Sequence, residues 1–298
     1  MNSMVETQGV RRMTALHLTR RTMRKSLAGL LKFALIAFGA AVGLFPLYWT
    51  WMVSLRPDGW EFTFPPQWLP NSFLWVNYVR AWNSGPFLIY TRNSLLVTIL
   101  GTIGTLLTGS LSAFGFSRLR FAGRDLVFGL VLSTMMLPAW VTIIPTFIIF
   151  RTLHWIDTLR PLYVPSWFGG GAFYIFLLRQ FFLSLPVEME EAARVDGASS
   201  LRIYWQIIMP LSGPALASVA IFSFINHWND FMGPLIFTNS VQSRTLALGL
   251  RFFRNEYTTS VNLMMCAALF MVIPVLILFF AAQRYFVRGV VMSGLAGR

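Results

Sequence analysis

Long apolar runs separated by short polar segments are the main pattern along the chain. A helix needs roughly 18 to 25 mostly apolar residues to cross a bilayer, and six runs reach that length. They cover residues 33–53, 93–116, 126–150, 161–178, 211–237 and 258–282. The pattern predicts an all-α polytopic membrane protein with six transmembrane helices.

The segments around the first run differ in composition. The run itself is too long for a signal-peptide core and lacks a clear small-residue cleavage site, so we expect a retained helix over residues 27–55. Residues 1–26 form a basic tail that could lie against anionic membrane lipids, although solvated charge that sets topology is a sufficient explanation. Residues 56–92 are rich in proline and tryptophan, which favours an external loop at the membrane interface.

Two features of the middle runs concern packing. The second run repeats small residues at every fourth position, which lets membrane helices approach closely. These residues are Gly101, Thr105, Gly109 and Ala113. We interpret them as a packing surface without chemistry. The third run contains Pro138 and Pro145, where kinks are expected.

The stretch 186–210 is the most charged part of the chain and lies between two apolar runs. It opens with residues that suit the first turn of a helix, a proline and three carboxylates: Pro186, Glu188, Glu190 and Glu191. Gly197 permits a reversal at positive φ, after which Ser199 or Ser200 can cap a second helix that runs to Pro210. The stretch is predicted to be a short helix–turn–helix.

Four polar residues of the fifth run fall within an arc of about 100° on a continuous helix, which turns about 100° per residue. They are Ser223, Asn226, His227 and Asp230. Exposure of these groups to lipid would be costly, so this face should look into the bundle or a water-filled path. Two interpretations stay open: a translocation pathway, or a hydrogen-bonded contact between helices.

Composition narrows the class of protein further. Of 298 residues, 56% are hydrophobic and 12% are charged, whereas an average globular protein has about a quarter charged. The net charge of +13 comes from basic residues that punctuate apolar runs, so no nucleic-acid site is needed to explain it. The single cysteine, Cys266, excludes an intrachain disulfide and a cysteine metal cluster, and His154 has no companion ligands, so no metal site is predicted.

The distribution of basic residues predicts the orientation. If the chain crosses six times, sixteen Lys and Arg residues lie on the side of the two termini and eight lie on the other side. The positive-inside rule then places both termini and the stretch 186–210 in the cytoplasm.

The spacing in this stretch also resembles the EAA signature of ABC-importer permeases. Residues 191–193 read EAA, and Gly197, Ile207 and Pro210 follow at the family's positions, while Met209 stands where leucine is usual. The resemblance implies a MetI-like permease core over residues 93–288, with a cytoplasmic tail at 289–298. It also implies that the stretch contacts an ATP-hydrolysing subunit. The coupling residues would be Glu190, Glu191, Ala192, Ala193, Asp196, Gly197, Ile207 and Pro210. An ordinary amphipathic connector is the alternative.

Other segments resemble the carbohydrate-importing, maltose-type members of this family. Residues 227–231 (HWNDF) are similar to the WND/WNE segment of sugar importers, and residues 283–289 also match. The resemblance implies a second permease subunit, an ATPase dimer that holds ATP and Mg²⁺, and an extracytoplasmic solute-binding protein in a bacterial inner membrane. No cofactor is expected on this chain, which has no GxxxxGK[ST] phosphate loop.

The substrate stays open in this interpretation. A sugar or oligosaccharide is the first expectation, and a polyol or glycerol phosphate is the alternative. An ion-coupled secondary carrier is a further rival, but its paired buried carboxylates are missing because Asp230 stands alone in its run. A membrane enzyme is disfavoured because no HExxH or GxSxG motif occurs.

Overall fold

The computed structural model describes residues 29–60, 68–69, 72–253 and 260–295, and this part of the chain is helical without any strand. The predicted basic tail and the last three residues lie outside it. The helices are α1 (Gly29–Ser54), α2 (Val76–Asn83), α3 (Phe87–Arg118), α4 (Arg124–Ser133), α5 (Ala139–Thr152), α6 (Arg160–Tyr163), α7 (Ala172–Leu183), α8 (Glu188–Val195), α9 (Ser200–Ile203), α10 (Met209–Leu211), α11 (Gly213–Trp228), α12 (Met232–Phe237), α13 (Leu246–Gly249) and α14 (Val261–Leu295).

Helix length and composition are compatible with six crossings. Four segments are long and apolar enough to span a membrane: Gly29–Ser54, Phe87–Arg118, Arg160–Leu183 and Val261–Gln283. Two bent pairs raise the number to six if each pair counts as one span: Arg124–Met136 with Trp140–Thr152, and Ser200–Leu211 with Gly213–Trp228. The predicted all-α polytopic architecture is confirmed.

The long helix α3 lies at the centre of the fold, with α7 and α11 packed along it. Glycines allow two large side chains to reach its backbone. A Cβ at Gly101 would overlap the imidazole of His227 on α11, and a Cβ at Gly104 would overlap the indole of Trp167. The predicted small-residue face packs closely at Gly101 against α11 and at Thr105 against Gly170 in the turn before α7, and Gly104 beside it packs in the same way.

Two apolar clusters occupy opposite ends of α3. One joins α3, α7 and α9, and includes Phe114, Phe182 and Ile208. The other joins α2, the start of α3, α11 and α14, and includes Trp228 and Cys266. Cys266 is fully buried, as expected of a small apolar residue. The clusters hold the two ends of the bundle separately, so each end can carry its own site.

The backbone carbonyls at the C-terminal end of α1 accept hydrogen bonds from amide side chains of other helices. Asn77 donates from Nδ2 to the carbonyls of Ser54 and Arg56, at 2.9 and 2.8 Å, and Asn262 donates to Arg56 O at 3.0 Å. The last carbonyls of a helix have no partner within it, and a buried one left unpaired would be costly. These bonds fix the end of α1 to α2 and α14.

Helix boundaries differ from the apolar runs where charged residues lie near the membrane surface. α3 begins at Phe87 and not at Asn93, and it includes Arg92, because one cation near a helix end can extend its head group to the interface. In the same way α14 continues to Leu295, past the predicted end at Ala282. A charged residue therefore ends an apolar run in the sequence, but the helix continues past it.

Prolines and a polar segment break two of the predicted spans. The third is interrupted at Pro138, which has extended backbone (φ −61°, ψ 134°), whereas Pro145 lies inside continuous α5. The fifth was predicted to reach Phe237 without a break, and this is wrong. α11 ends at Trp228, and the separate helix α12 begins at Met232.

Candidate coupling site

Residues 186–210 form the predicted helix–turn–helix, and Gly197 builds its turn. Gly197 has φ +79°, a region that L side chains rarely adopt. The amide of Ala198 donates to Ala193 O at 2.9 Å, and the amide of Gly197 donates to Arg194 O at 3.0 Å. These two bonds are the Schellman motif that ends many helices. No atom lies within 4 Å of a Cβ built on Gly197, so backbone conformation and not crowding selects glycine here.

The second helix begins and ends at residues that the sequence singled out. Of the two predicted caps, Ser199 is the one used, since its Oγ accepts from the amide of Arg202 at 3.3 Å. The helix then widens into a π-helical turn over Tyr204–Ile208, just before Pro210. Proline has no amide hydrogen to donate and its ring crowds the preceding turn, and a wide turn relieves that conflict.

A buried ion pair fixes α8 to the end of α3. Arg118 Nε lies 2.8 Å from Glu190 Oε1, and both side chains are only 5% exposed. The same guanidinium donates from Nη2 to the carbonyls of Phe182 and Leu185, at 2.5 and 2.8 Å. Phe182 lies in the last turn of α7, and Leu185 lies two residues past the end of that helix. One arginine therefore joins α3, α7 and α8.

A second polar contact fixes the other helix of the motif. The hydroxyl of Tyr204 lies 2.7 Å from Ser110 Oγ on α3, and the Tyr204 ring packs against Phe114 with centroids 5.3 Å apart. Tyr204 is fully buried. Both arms of the helix–turn–helix are therefore anchored on α3.

The tip of the motif is exposed and carries most of the predicted coupling residues. Five of the predicted coupling residues are exposed: Glu191, Ala192, Asp196, Gly197 and Pro210. Two others, Ala193 and Ile207, are half-buried. Glu190 is the exception, because its carboxylate faces inward to Arg118. A groove of about 190 Å³ runs between the two helices.

Val195 belongs to this exposed surface, although the sequence analysis did not select it. Its side chain is 88% exposed at the end of α8, an unusual position for a large apolar residue. An apolar side chain beside the carboxylates Glu191 and Asp196 gives the tip a mixed surface of the kind that protein partners bind.

The four polar residues predicted to share one face of the fifth span lie in different surroundings in the structure. His227 Nδ1 lies 2.8 Å from Ser223 O, and Nε2 lies 2.9 Å from Ser166 Oγ. Ser223 is fully buried, whereas Asn226 is exposed. His227 therefore makes a hydrogen-bonded contact with Ser166, outside α11, whereas its bond to Ser223 lies within α11.

Asp230 does not share the helical arc with these residues. α11 ends two residues before it, so the assumption of a continuous helix was wrong at this position. Its Oδ1 accepts from the amide of Gly233 at 3.0 Å, at the start of α12. The carboxylate therefore stabilises the beginning of a new helix, as acceptors at helix N-termini do.

Comparison with known proteins agrees with this geometry. The family described as binding-protein-dependent transport system inner membrane component matches residues 105–292, which include both helices of the motif and its anchors on α3. The chain belongs to this family. It is an ABC-importer permease, and the family is one of transporter permeases and not of enzymes.

Several relatives are similar over almost their whole length. The sn-glycerol-3-phosphate transport system permease protein UgpE of Yersinia pestis is 34% identical over 267 residues, which cover 87% of this chain and 94% of the relative. The protein of the same name from Salmonella typhimurium is 37% identical over 268 residues, with the same coverage. A solved bacterial ABC transporter involved in the import of the acidic polysaccharide alginate superposes with a TM-score of 0.76 at 25% identity, over 87% of this chain and 96% of that chain.

Sequence reasoning missed the two anchors on α3. The sequence pattern gives Arg118 a part only in the bias of basic residues that predicts topology, and it assigns no role to Ser110. The available signal for Arg118 was its position at the very end of an apolar run, where a cation can reach the carboxylates of a neighbouring loop. Nothing local marked Ser110, because its partner is 94 residues away.

Proposed function

We propose that this permease forms one half of a transmembrane pore and transmits movement between that pore and a separate ATPase through the exposed tip around Gly197. The observation that carries the proposal is the contrast within the helix–turn–helix. Its inner side is tied to α3 by Arg118–Glu190 and by Tyr204–Ser110, while Glu191, Val195 and Gly197 at its tip are exposed. A rigid element with one fixed and one exposed side can transfer a displacement.

The assembly proposed around this chain follows the family description. A binding-protein-dependent importer needs a solute-binding protein outside the membrane, and a half pore needs a second permease subunit. An ATPase dimer would contribute ATP and Mg²⁺, since this chain has no phosphate loop. The bias of basic residues supports cytoplasmic termini, which places the tip on the side where ATP is available.

The proposed substrate is a solute of the carbohydrate class. A sugar or oligosaccharide fits the sugar-importer segments of the sequence, and the alginate transporter supports this choice. Glycerol phosphate is the second candidate, favoured by the names of the Yersinia and Salmonella relatives. Within the membrane, Asn226 is the residue that we assign to the pathway, because it is exposed, whereas Ser223 is buried and His227 is bonded to Ser166.

The proposal is tested by substrate-stimulated ATP hydrolysis of the complex purified from the native host. Glu191→Lys, which reverses a charge on the tip, and Gly197→Val, which strains the backbone at φ +79°, are each expected to reduce stimulation at least tenfold. Glu188→Gln is the matched control, because Glu188 is an exposed carboxylate on the same helix outside the signature. Normal stimulation in both variants, with the chain inserted at wild-type levels, would contradict the coupling role.

A further inference from the structure

A pocket of about 310 Å³ opens at the end of the bundle opposite the coupling site. Its walls come from the start of α3, from α12 and from the segment around α13. The side chains that matter for its chemistry are Tyr90, Asn239, Arg244 and Arg251. Two arginines therefore line one small cavity, at the end where the predicted topology places the outside of the cell.

The backbone that carries Arg244 is held by buried polar side chains of α3. Asn93 donates from Nδ2 to the carbonyls of Gln242 and Arg244, at 2.6 and 2.9 Å. Ser94 Oγ accepts from the amide of Leu246 at 2.8 Å. Asn93 and Ser94 are 5% and 2% exposed, so these bonds are protected from water. The loop that presents the cation is thus preorganised and not a free surface segment.

The direction of the Arg244 side chain is also set. Its Nη2 donates to the carbonyl of Asn239, another residue of the pocket wall, at 3.2 Å. An arginine has five N–H donors, so this bond leaves donors for a ligand. The guanidinium is planar and suits the two oxygens of a carboxylate or a phosphate.

The described part of the chain offers these cations no carboxylate partner. None of the ion pairs between described residues involves Arg244 or Arg251. Asp157 lies on the adjoining loop, but its Oδ1 accepts from the amides of Asn239 and Ser240, each at 2.8 Å, and it does not line the pocket. Two like charges at one cavity repel each other, and an anion between them would remove that cost.

We propose that this pocket binds the anionic group of the transported solute, a phosphate monoester or a carboxylate, at the outer mouth of the pore. The inference rests on the proposed importer function and deepens it, since it makes the substrate an anion. Its volume lies at the lower end of the range for small-molecule sites, and its concave shape suits a small solute better than a protein surface. The similar proteins carry names of anionic substrates, a glycerol phosphate and an acidic polysaccharide.

The site is tested by ligand binding to the full chain in nanodiscs of purely zwitterionic lipid, which removes anionic headgroups as competitors. The probes are sn-glycerol 3-phosphate, glucuronate and neutral glycerol, titrated by calorimetry at low and high salt. At least one of the two anions is expected to bind, more weakly at high salt, and glycerol is not. Arg244→Gln and Arg251→Gln should each weaken anion binding at least tenfold. Arg160→Gln is the control, because Arg160 is an exposed arginine outside the pocket.

Three results would overturn the inference. The first is binding that is unchanged in both arginine variants. The second is glycerol binding as tightly as the anions, because charge would then be irrelevant. The third is loss of binding-protein capture in the variants with unchanged anion affinity, which would make the arginines a protein-docking surface.

Failure here is distinguishable from failure of the proposed function. The binding measurement needs neither ATP nor the partner subunits, whereas the coupling measurement depends on residues at the opposite end of the bundle. If glycerol bound as tightly as the anions while substrate-stimulated ATP hydrolysis stayed normal, only the pocket proposal would be refuted.

Discussion

Removal of one partner of the buried pair Arg118–Glu190 is expected to destabilise the chain strongly. Breaking a buried ion pair typically costs about 3–5 kcal/mol, because an uncompensated charge stays in a poorly solvated place. Both side chains are 5% exposed, so solvent can relieve little of this cost. In Glu190→Gln the arginine keeps its bonds to Phe182 O and Leu185 O, so we expect the lower end of the range, about 3 kcal/mol.

Removal of Arg118 should lower the stability of the chain more than Glu190→Gln does. The double variant should be more stable than the variant that lacks Arg118 alone. Arg118→Met leaves the Glu190 carboxylate buried and also removes the donor of two carbonyls, so about 5 kcal/mol is expected. Arg118→Met combined with Glu190→Leu removes both charges. Phe182 O still accepts from the amide of Leu185 at 3.1 Å, so Leu185 O is the carbonyl that loses its donor, for about 1–3 kcal/mol. Partial recovery in the double variant is the sign of a charge penalty and not of general disruption.

Reversible unfolding of the purified chain in mixed micelles titrated with sodium dodecyl sulfate, followed by tryptophan fluorescence, measures these differences. Arg120→Met and Glu188→Gln are matched controls, because both residues are exposed, and each should change the free energy of unfolding by less than about 0.5 kcal/mol. A Glu190→Gln variant as stable as its control would refute the reasoning. So would a double variant whose loss equals the sum of the two single losses.

Two further predictions concern the centre and the outer end of the fold. Gly101→Leu should lower the thermal stability of the chain, because the leucine side chain would overlap the His227 imidazole. His227→Ala in the same chain should restore part of the loss. Equal losses with and without His227→Ala in a melting experiment would exclude the contact. At the outer end, the amides of Ser240 and Asn239 hold the pKa of Asp157 below its usual range. The stability it contributes is then present above the ordinary aspartate pKa of about 3.9 and is lost as the pH falls through the lowered value. Asp157→Asn should therefore be less stable than wild type at neutral pH, with a difference that shrinks below about pH 4; a difference independent of pH would contradict this account.

The elements that depend on local pattern could be predicted from the sequence. Apolar runs of sufficient length predict spans because the bilayer requires about 18 to 25 apolar residues wherever they occur. The turn at Gly197 and the cap at Ser199 are local too, since each depends on backbone conformation within a few residues. The small-residue face of α3 follows from a period of four.

Contacts between distant segments could not be predicted in this way. The direction in which Glu190 points depends on Arg118, which lies 72 positions earlier on another helix. α11 ends at Trp228 and α12 begins at Met232, whereas a helical wheel assumes that no break occurs. In the sequence, nothing relates Arg244 to Arg251. The packing of α3 and α12 places both arginines at one pocket. The sequence alone therefore determined where the helices lie and where the coupling turn forms, since these follow from local backbone preference and hydropathy. The tertiary structure decided which polar groups are buried in pairs and which are left exposed for a ligand or a partner, because burial is a property of the packed bundle.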